Sequence, residues 1–221
     1  MSKKDEVVVL DFWVSPFAMR VKIALEEKGI KFEAREEDLL GNKSELLLQS
    51  NPIYKKVPVL LHNGKPLCES LVILNYVDET WPSPPLLPTS PYERSVAKFW
   101  ADFVDKKIFE GGSKIWKSKG EALEVAKKEF EECLKLLEGA LGEKEYFAGN
   151  GFGFVDIVLI PHISWFYGYE QFGGFKVEEQ CPKLGAWMKR CLGRESVAKV
   201  LPDPAKVHEF ICKLRKMHGI E

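Results

Sequence analysis

The sequence predicts two kinds of structure in one chain: an α/β unit of β-α-β-α-β-β-α order, followed by an all-helical domain. Three observations carry this. Apolar residues alternate between strand-like and helix-like spacing up to Thr80, whereas beyond Pro91 only helical spacing occurs. Between the two regions, Pro82, Pro84, Pro85, Pro88 and Pro91 place five of the thirteen prolines in Trp81-Pro-Ser-Pro-Pro-Leu-Leu-Pro-Thr-Ser-Pro91. A run so poor in backbone donors cannot continue a helix or a central strand, and it predicts a stiff connector. The aromatic residues are also unevenly shared, with eleven of fourteen Phe and four of six Trp beyond residue 90. A broad apolar pocket is therefore expected in the helical part. The predicted division is residues 1–81, a linker at 82–91, and a helical domain at 92–221.

In chain order, residues 7–12 form a short apolar run suited to a buried strand. Residues 16–28 carry Ala18, Val21 and Leu25 on one helical face and stop at Gly29, a C-cap residue. Residues 30–36 read as the second strand and 44–50 as a short polar helix. Asn63-Gly64 joins an apolar run at 57–62 to another around 66–68, a strong hairpin signal. A helix over 70–80 closes the unit. In the second region Val96, Phe99, Trp100, Phe103 and Val104 form one predicted core stripe, which Gly111-Gly112 should bend. Ala122, Ala126, Phe130, Cys133, Leu137 and Leu141 form another, ending at Gly142. Residues 154–172 are apolar nearly all round and predict a central helix. Leu184, Trp187, Met188 and Cys191 mark a short helix, and Val207, Phe210, Ile211 and Leu214 the last.

Bulk properties exclude several classes. With 221 residues, 45% of them hydrophobic, the chain needs no disulfide staples to hold a core. Thirty-two Lys and Arg against thirty-three Asp and Glu leave a net charge of -1, without the basic footprint of a nucleic-acid or membrane-surface binder. The five cysteines, Cys68, Cys133, Cys181, Cys191 and Cys212, are widely spaced and show no Cys-x-x-Cys, so no zinc site is expected and a reducing compartment is. The opening Met-Ser-Lys-Lys-Asp-Glu matches neither a secretory signal nor a myristoylation site. The most apolar stretch, 152–165, is interrupted by Asp156, Pro161 and His162. A soluble cytoplasmic protein is expected.

Three short motifs carry possible chemistry. Ser15 follows the first strand and precedes Pro16; it is either a plain N-cap or a hydroxyl presented, with the positive end of a helix, at the carboxyl edge of the strands. Pro58 sits within an apolar strand run, which points either to an edge strand or to a proline at the first residue of a central one. In the second case a cis Val57–Pro58 bond would turn the preceding backbone outward. Lys55 and Lys56 just before it suit a solvated pair of charges. Cys68-Glu69-Ser70 ends the hairpin and begins a helix, with Ser70 as candidate N-cap. A carboxylate and a hydroxyl beside helical N–H groups suit the head group of an amino acid.

Taken together, the segments Leu10-Asp-Phe-Trp-Val-Ser-Pro-Phe-Ala-Met-Arg-Val-Lys-Ile-Ala-Leu-Glu-Glu-Lys-Gly-Ile30 and Asn51-Pro-Ile-Tyr-Lys-Lys-Val-Pro-Val-Leu-Leu-His-Asn-Gly-Lys-Pro-Leu-Cys-Glu-Ser70 resemble the soluble glutathione transferases, closest to the plant tau class. The likeness spans the whole chain. It implies a thioredoxin-like first domain and conjugation of glutathione to hydrophobic electrophiles. It also implies a homodimer, with reduced glutathione as co-substrate and no other cofactor or metal. Peroxide reduction with glutathione is a further activity of such proteins, and carriage of apolar metabolites an alternative role.

Residue by residue, the resemblance gives Ser15 a hydrogen bond to the glutathione sulfur. It puts Lys43 and Lys56 near the glycyl carboxylate, Val57 ahead of a cis Pro58 at the cysteinyl portion, and Glu69 with Ser70 at the γ-glutamyl end. Phe17, Trp116, Trp165, Phe210 and Leu214 fall where related proteins line the electrophile pocket, although aromatic residues at helical spacing also suit a core. Serine rather than cysteine at position 15 argues against thiol transfer. One departure stands out: the family opens the central helix with Ser or Thr three residues before an Asp, whereas here Gly153 precedes Asp156. Asp156 is expected to accept backbone N–H groups at that helix start, a folding role. Lys213-Leu-Arg-Lys216 reads as a solvated face or as an attractor of anionic substrates.

Overall fold

The computed structural model describes residues 5–149 and 151–220. The opening residues 1–4, on which the targeting reading partly rests, lie outside them. The chain divides into two compact units, residues 1–86 and 87–221.

The first unit is a four-stranded mixed sheet of order β2-β1-β3-β4, with β1 (Val7–Asp11), β2 (Glu33–Glu36), β3 (Val59–His62) and β4 (Lys65–Cys68). Helix α1 (Pro16–Glu27) crosses over between the parallel pair β1 and β2. The hairpin β3–β4 turns at Asn63 and Gly64, both with positive φ (51° and 76°), as its tight turn requires. Strand alternation sends Val8, Leu10, Val59 and Leu61 to one face, where Leu47 of α2 (Glu45–Ser50) completes a buried cluster. Also in this unit, α1 packs against α3 (Ser70–Thr80), and Val9 and Leu60 are fully buried.

Pro58 is not on an edge strand. β3 lies between β1 and β4, and its ladder begins one residue later, with Val59 paired to both Leu10 and Cys68. Proline therefore loses no ladder donor there, and the Val57–Pro58 bond is cis. β2 is shorter than expected and exposed throughout.

Residues 81–86 pack with the first unit. The fully buried ammonium of Lys28 bonds the Asp78 carboxylate (2.6 Å) and the Pro84 carbonyl, and Asp78 also accepts the Leu86 N–H at 2.8 Å. The helical unit then starts at Pro91, with Ser90 as its N-cap.

In the second unit, α4 (Pro91–Phe103) buries Ala97 and Ala101. The stripe expected in the core is only partly there: Val104 is fully buried and Trp100 and Phe103 are half-buried, but Phe99 is 60% and Val96 37% exposed. A π-helical segment, Val104–Phe109, joins α4 to α5 (Glu110–Lys117). The change of helical register thus precedes Gly111-Gly112, and the pair lies inside regular helix. Gly112 is there for space, because a Cβ would sit 2.2 Å from the Tyr169 ring.

Helix α6 (Gly120–Leu141) ends at Gly142 as expected, and its Phe130 meets Phe166, Tyr169 and Phe175 edge to face. The apolar stretch after Gly153 is not one helix. It forms α7 (Phe154–Leu159), a 3₁₀ turn at Ile160–His162 and α8 (Ile163–Gly173), the break falling at Pro161. Two short helices, α9 (Val177–Gln180) and α11 (Glu195–Ala198), flank α10 (Pro182–Leu192). The last is α12 (Pro204–Met217), packed on α8 and α5. Arg215 is buried rather than solvated: it donates to the Trp116 carbonyl and covers the Phe172 ring at 4.4 Å.

Candidate functional site

The sheet register collects most of the predicted residues of the first unit along one edge. Leu10, Val59 and Cys68 form one row across β1, β3 and β4. The carboxyl end of β1 leading to Ser15, the start of β3 after Val57-Pro58, and the end of β4 leading to Glu69 therefore share that edge. β2 runs parallel to β1, so the segment from Glu36 to Lys43 leaves from the same side.

Ser15 is the N-cap of α1 and is 8% exposed. Its hydroxyl accepts from the Ala18 N–H at 3.3 Å, and its own N–H is tied to the Phe12 carbonyl at 2.7 Å. The cap and donor readings are compatible: capping uses a lone pair and leaves the hydroxyl proton to give.

The loop after α2 is held from within. Asn51, 3% exposed, donates from Nδ2 to the Lys56 carbonyl (3.0 Å) and accepts the Tyr54 N–H through Oδ1 (3.1 Å). Half-buried Lys43 donates to the Lys55 carbonyl at 2.9 Å, while Lys56 is exposed. The Ser44 cap of α2 is itself fixed by buried Glu37, which accepts its N–H and its hydroxyl.

At the third motif the expected cap is displaced by one residue. Glu69 occupies the cap of α3 with φ 68° and ψ 113° and makes no side-chain cap bond; Ser70 is the first helical residue. A non-glycine residue in that conformation is strained by about 1–3 kcal/mol, and such strain concentrates at functional positions. The Glu69 carboxylate is exposed, whereas Ser70 is buried and accepts at 3.1 Å from the fully buried guanidinium of Arg20.

Phe17 belongs to the first unit and lies half-buried, 4.9 Å from the Arg20 guanidinium. The other four predicted pocket residues belong to the second unit, gathered around α12. Trp165 meets Phe210 edge to face at 6.3 Å, Phe210 and Leu214 are one turn apart, and Trp116 is bonded through its carbonyl to Arg215. Phe210 and Leu214 are half-buried; Trp116 and Trp165 are 5% and 8% exposed. A separate groove of about 450 Å³, lined by Phe166, Tyr167, Met188, Leu192, Leu201 and Pro202 among others, contains none of them.

Protein thiols are not activated at this edge. Burial pushes the thiols of Cys68 and Cys133 up and that of Cys181 to about 11, and none of the five cysteines is in a disulfide. Among the described residues no His, Cys, Asp and Glu group is arranged to hold a metal ion, and no helix is long and apolar enough to cross a membrane.

Comparison with known proteins matches residues 6–79 to the glutathione S-transferase N-terminal domain and 120–190 to the C-terminal domain of the same family. The chain belongs to the glutathione S-transferase family. This transferase is 59% identical over 219 residues to the probable glutathione S-transferase parC of Nicotiana tabacum, covering 98% of this chain and 99% of that one. It is equally 59% identical to glutathione S-transferase U25 of Arabidopsis thaliana over 218 residues, covering 98% of each. Among solved structures, rice GST1 in complex with glutathione superposes with a TM-score of 0.94 at 51% identity, covering 98% of this chain and 99% of that one. The tau-class glutathione S-transferase of mango, Mangifera indica, gives 0.89 at 40% identity, covering 95% and 98%. The likeness is thus to the tau class, and the transferase fold extends over both units.

Three residues that brace the candidate site had no motif to announce them: Arg20, Asn51 and Glu37. The available signal was polarity out of place. Arg20 interrupts Phe17-Ala-Met-Arg-Val, a stretch of α1 whose neighbours are nearly all buried, and Asn51 directly precedes Pro52 at a helix end.

Proposed function

We propose that this glutathione S-transferase binds reduced glutathione along the shared sheet edge and joins its thiolate to hydrophobic electrophiles. The observation that carries the reading is Ser15: a buried hydroxyl at a helix start, with a lone pair occupied by Ala18 and a proton to give. Glutathione in the rice relative's structure supports the choice of co-substrate. In this reading Glu69 meets the ammonium of the γ-glutamyl end and Ser70 its carboxylate. The Val57 backbone pairs with the cysteinyl portion, with Pro58 fixing its direction, and Lys43 and Lys56 neutralise the glycyl carboxylate. Phe17, Trp116, Trp165, Phe210 and Leu214 line the electrophile side.

The chemistry asks little of the protein. A free thiol of pKa ~8.5 is a few per cent ionised at pH 7. A hydrogen bond to a charged group is worth about 1.5–3 kcal/mol, and one pKa unit about 1.4, so a single hydroxyl donor lowers the thiol by about 1–2 units. The thiolate fraction at pH 7 then rises to between about a quarter and three-quarters. The thiolate attacks the electrophilic carbon, the C–S bond forms, and the leaving group departs with its electron pair. Ser15 stays protonated throughout and acts as a fixed donor.

We further infer a cytoplasmic homodimer that uses no metal and no cofactor besides glutathione. Five cysteines without a disulfide suit a reducing compartment, and the exposed Tyr92, Val96 and Phe99 on α4 suit burial against a second copy. The test of the catalytic reading is Ser15→Ala. Retention on immobilised glutathione should persist, while turnover of a chloronitrobenzene at pH 7 falls about eight- to twenty-five-fold, the ratio of the thiolate fractions. Unchanged turnover would sink the assignment.

A further inference from the structure

The indole of Trp116 is 5% exposed, and its Nε1–H is buried with no hydrogen-bond acceptor. Buried Trp N–H groups ordinarily find a partner, and leaving a donor unmet is destabilising, so the exception needs a cause. The rest of the residue is well held. Its carbonyl accepts from Arg215, the Lys117 ammonium lies 5.0 Å from the ring centroid, and the His218 ring stands edge-on at 5.9 Å. Lys117 and Arg215 can only donate, His218 holds its Nδ1 against the Leu214 carbonyl, and the Trp116 N–H is left without an acceptor. Its partners Arg215 and His218 stand on and just beyond α12, next to Phe210 and Leu214.

We propose that the Trp116 N–H is a specificity donor whose acceptor arrives with the substrate. The pocket then favours apolar aromatic electrophiles bearing a nitro or carbonyl oxygen over hydrocarbon analogues of the same shape. This rests on the reading above that Trp116 lines the electrophile side. A hydrocarbon substrate leaves the N–H unmet in the complex, whereas an oxygen satisfies it without displacing any protein bond. The cations around the ring add to the attraction for an oxygen carrying partial negative charge.

The test uses 4-nitrobenzyl and 4-isopropylbenzyl chloride, which share a reacting carbon and nearly a shape. kcat/KM is measured for the unaltered enzyme, for Trp116→Phe, and for enzyme carrying benzothienylalanine at position 116, where sulfur replaces the N–H in the same bicycle. The ratio of unaltered to altered enzyme cancels each halide's own reactivity. Both altered enzymes should lose about three- to tenfold on the nitro compound. The benzothienyl enzyme should lose at least about threefold more on the nitro compound than on the isopropyl compound, with the KM for glutathione unmoved throughout. Equal losses on both halides overturn the donor and leave Trp116 in the pocket. No loss on either overturns the donor together with the placement of Trp116, while Ser15 keeps its own independent test.

Discussion

At Ser15 the hydroxyl oxygen accepts one hydrogen bond, from Ala18, and the proton is left to donate. A cysteine there would keep the helix-start position but exchange a donor for a nucleophile, and a thiolate at a helix N-terminus is stabilised by the same N–H groups. Ser15→Cys is therefore expected to lose most conjugating activity and to gain glutathione-dependent reduction of a mixed disulfide, read by a coupled reductase assay. No gain of thiol transfer would count against the geometry. Ser15, Val57-Pro58 and Glu69-Ser70 were legible in the sequence because each sits beside a punctuating residue or turn. Arg20 was not. Its role depends on Ser70, fifty positions away, which no local pattern encodes. The strain at Glu69 escaped for a related reason: a positive φ at a non-glycine residue is imposed by the surrounding structure.

At the scale of elements, Asp156 shows how a family substitution is absorbed. Glycine at the cap of α7 brings no side-chain oxygen, yet the Asp156 carboxylate reaches back to the Gly153 N–H (3.0 Å). It also accepts from the Phe147 N–H (3.1 Å) and the Trp187 indole (2.8 Å). Burial outweighs these three bonds and pushes the carboxyl from its ordinary 3.8 up to about 6. Because the folded value lies above the unfolded one, the native state holds the proton longer. The associated stability is full below about pH 4 and is lost as pH rises through about 6. Wild-type stability relative to Asp156→Asn should thus fall over that window by up to about 3 kcal/mol, then stay level, as read by denaturant unfolding at each pH. A difference that does not vary with pH would contradict this. Helix α4 illustrates the opposite case for the sequence. Its large apolar residues repeat at helical spacing, so they read as core, but small Ala97 and Ala101 pack inward and leave Phe99 outside. Periodicity finds a stripe without saying what covers it. The π-helical segment at Val104–Phe109 likewise has no signature in composition, whereas Gly112 makes room for Tyr169 and Gly111 faces Phe130.

For the whole molecule, the exposed side of α4 bears on assembly. Tyr92 at 78% and Phe99 at 60% exposure form an apolar surface that a second copy is expected to bury, so Phe99→Asp should convert a dimer to a monomer in light scattering. Identical mass for both proteins would remove that face from the interface. The two-part order of the chain was legible from the prolines. Their packing was not, because Lys28 and Asp78, which hold residues 84–86, look like ordinary surface charges in the sequence. The proposed chemistry turns on a single hydrogen bond, donated by the protein, that makes glutathione nucleophilic. Titrating the ultraviolet absorbance of the thiolate of glutathione bound to the wild-type protein and to Ser15→Ala tests it most directly. The predicted result is an apparent pKa about 1–2 units below ~8.5 in the wild type and a return to about 8.5 in the variant, with glutathione affinity equal in the two proteins only below about pH 6, where the bound thiol is protonated. The same lowered value in both proteins would contradict it.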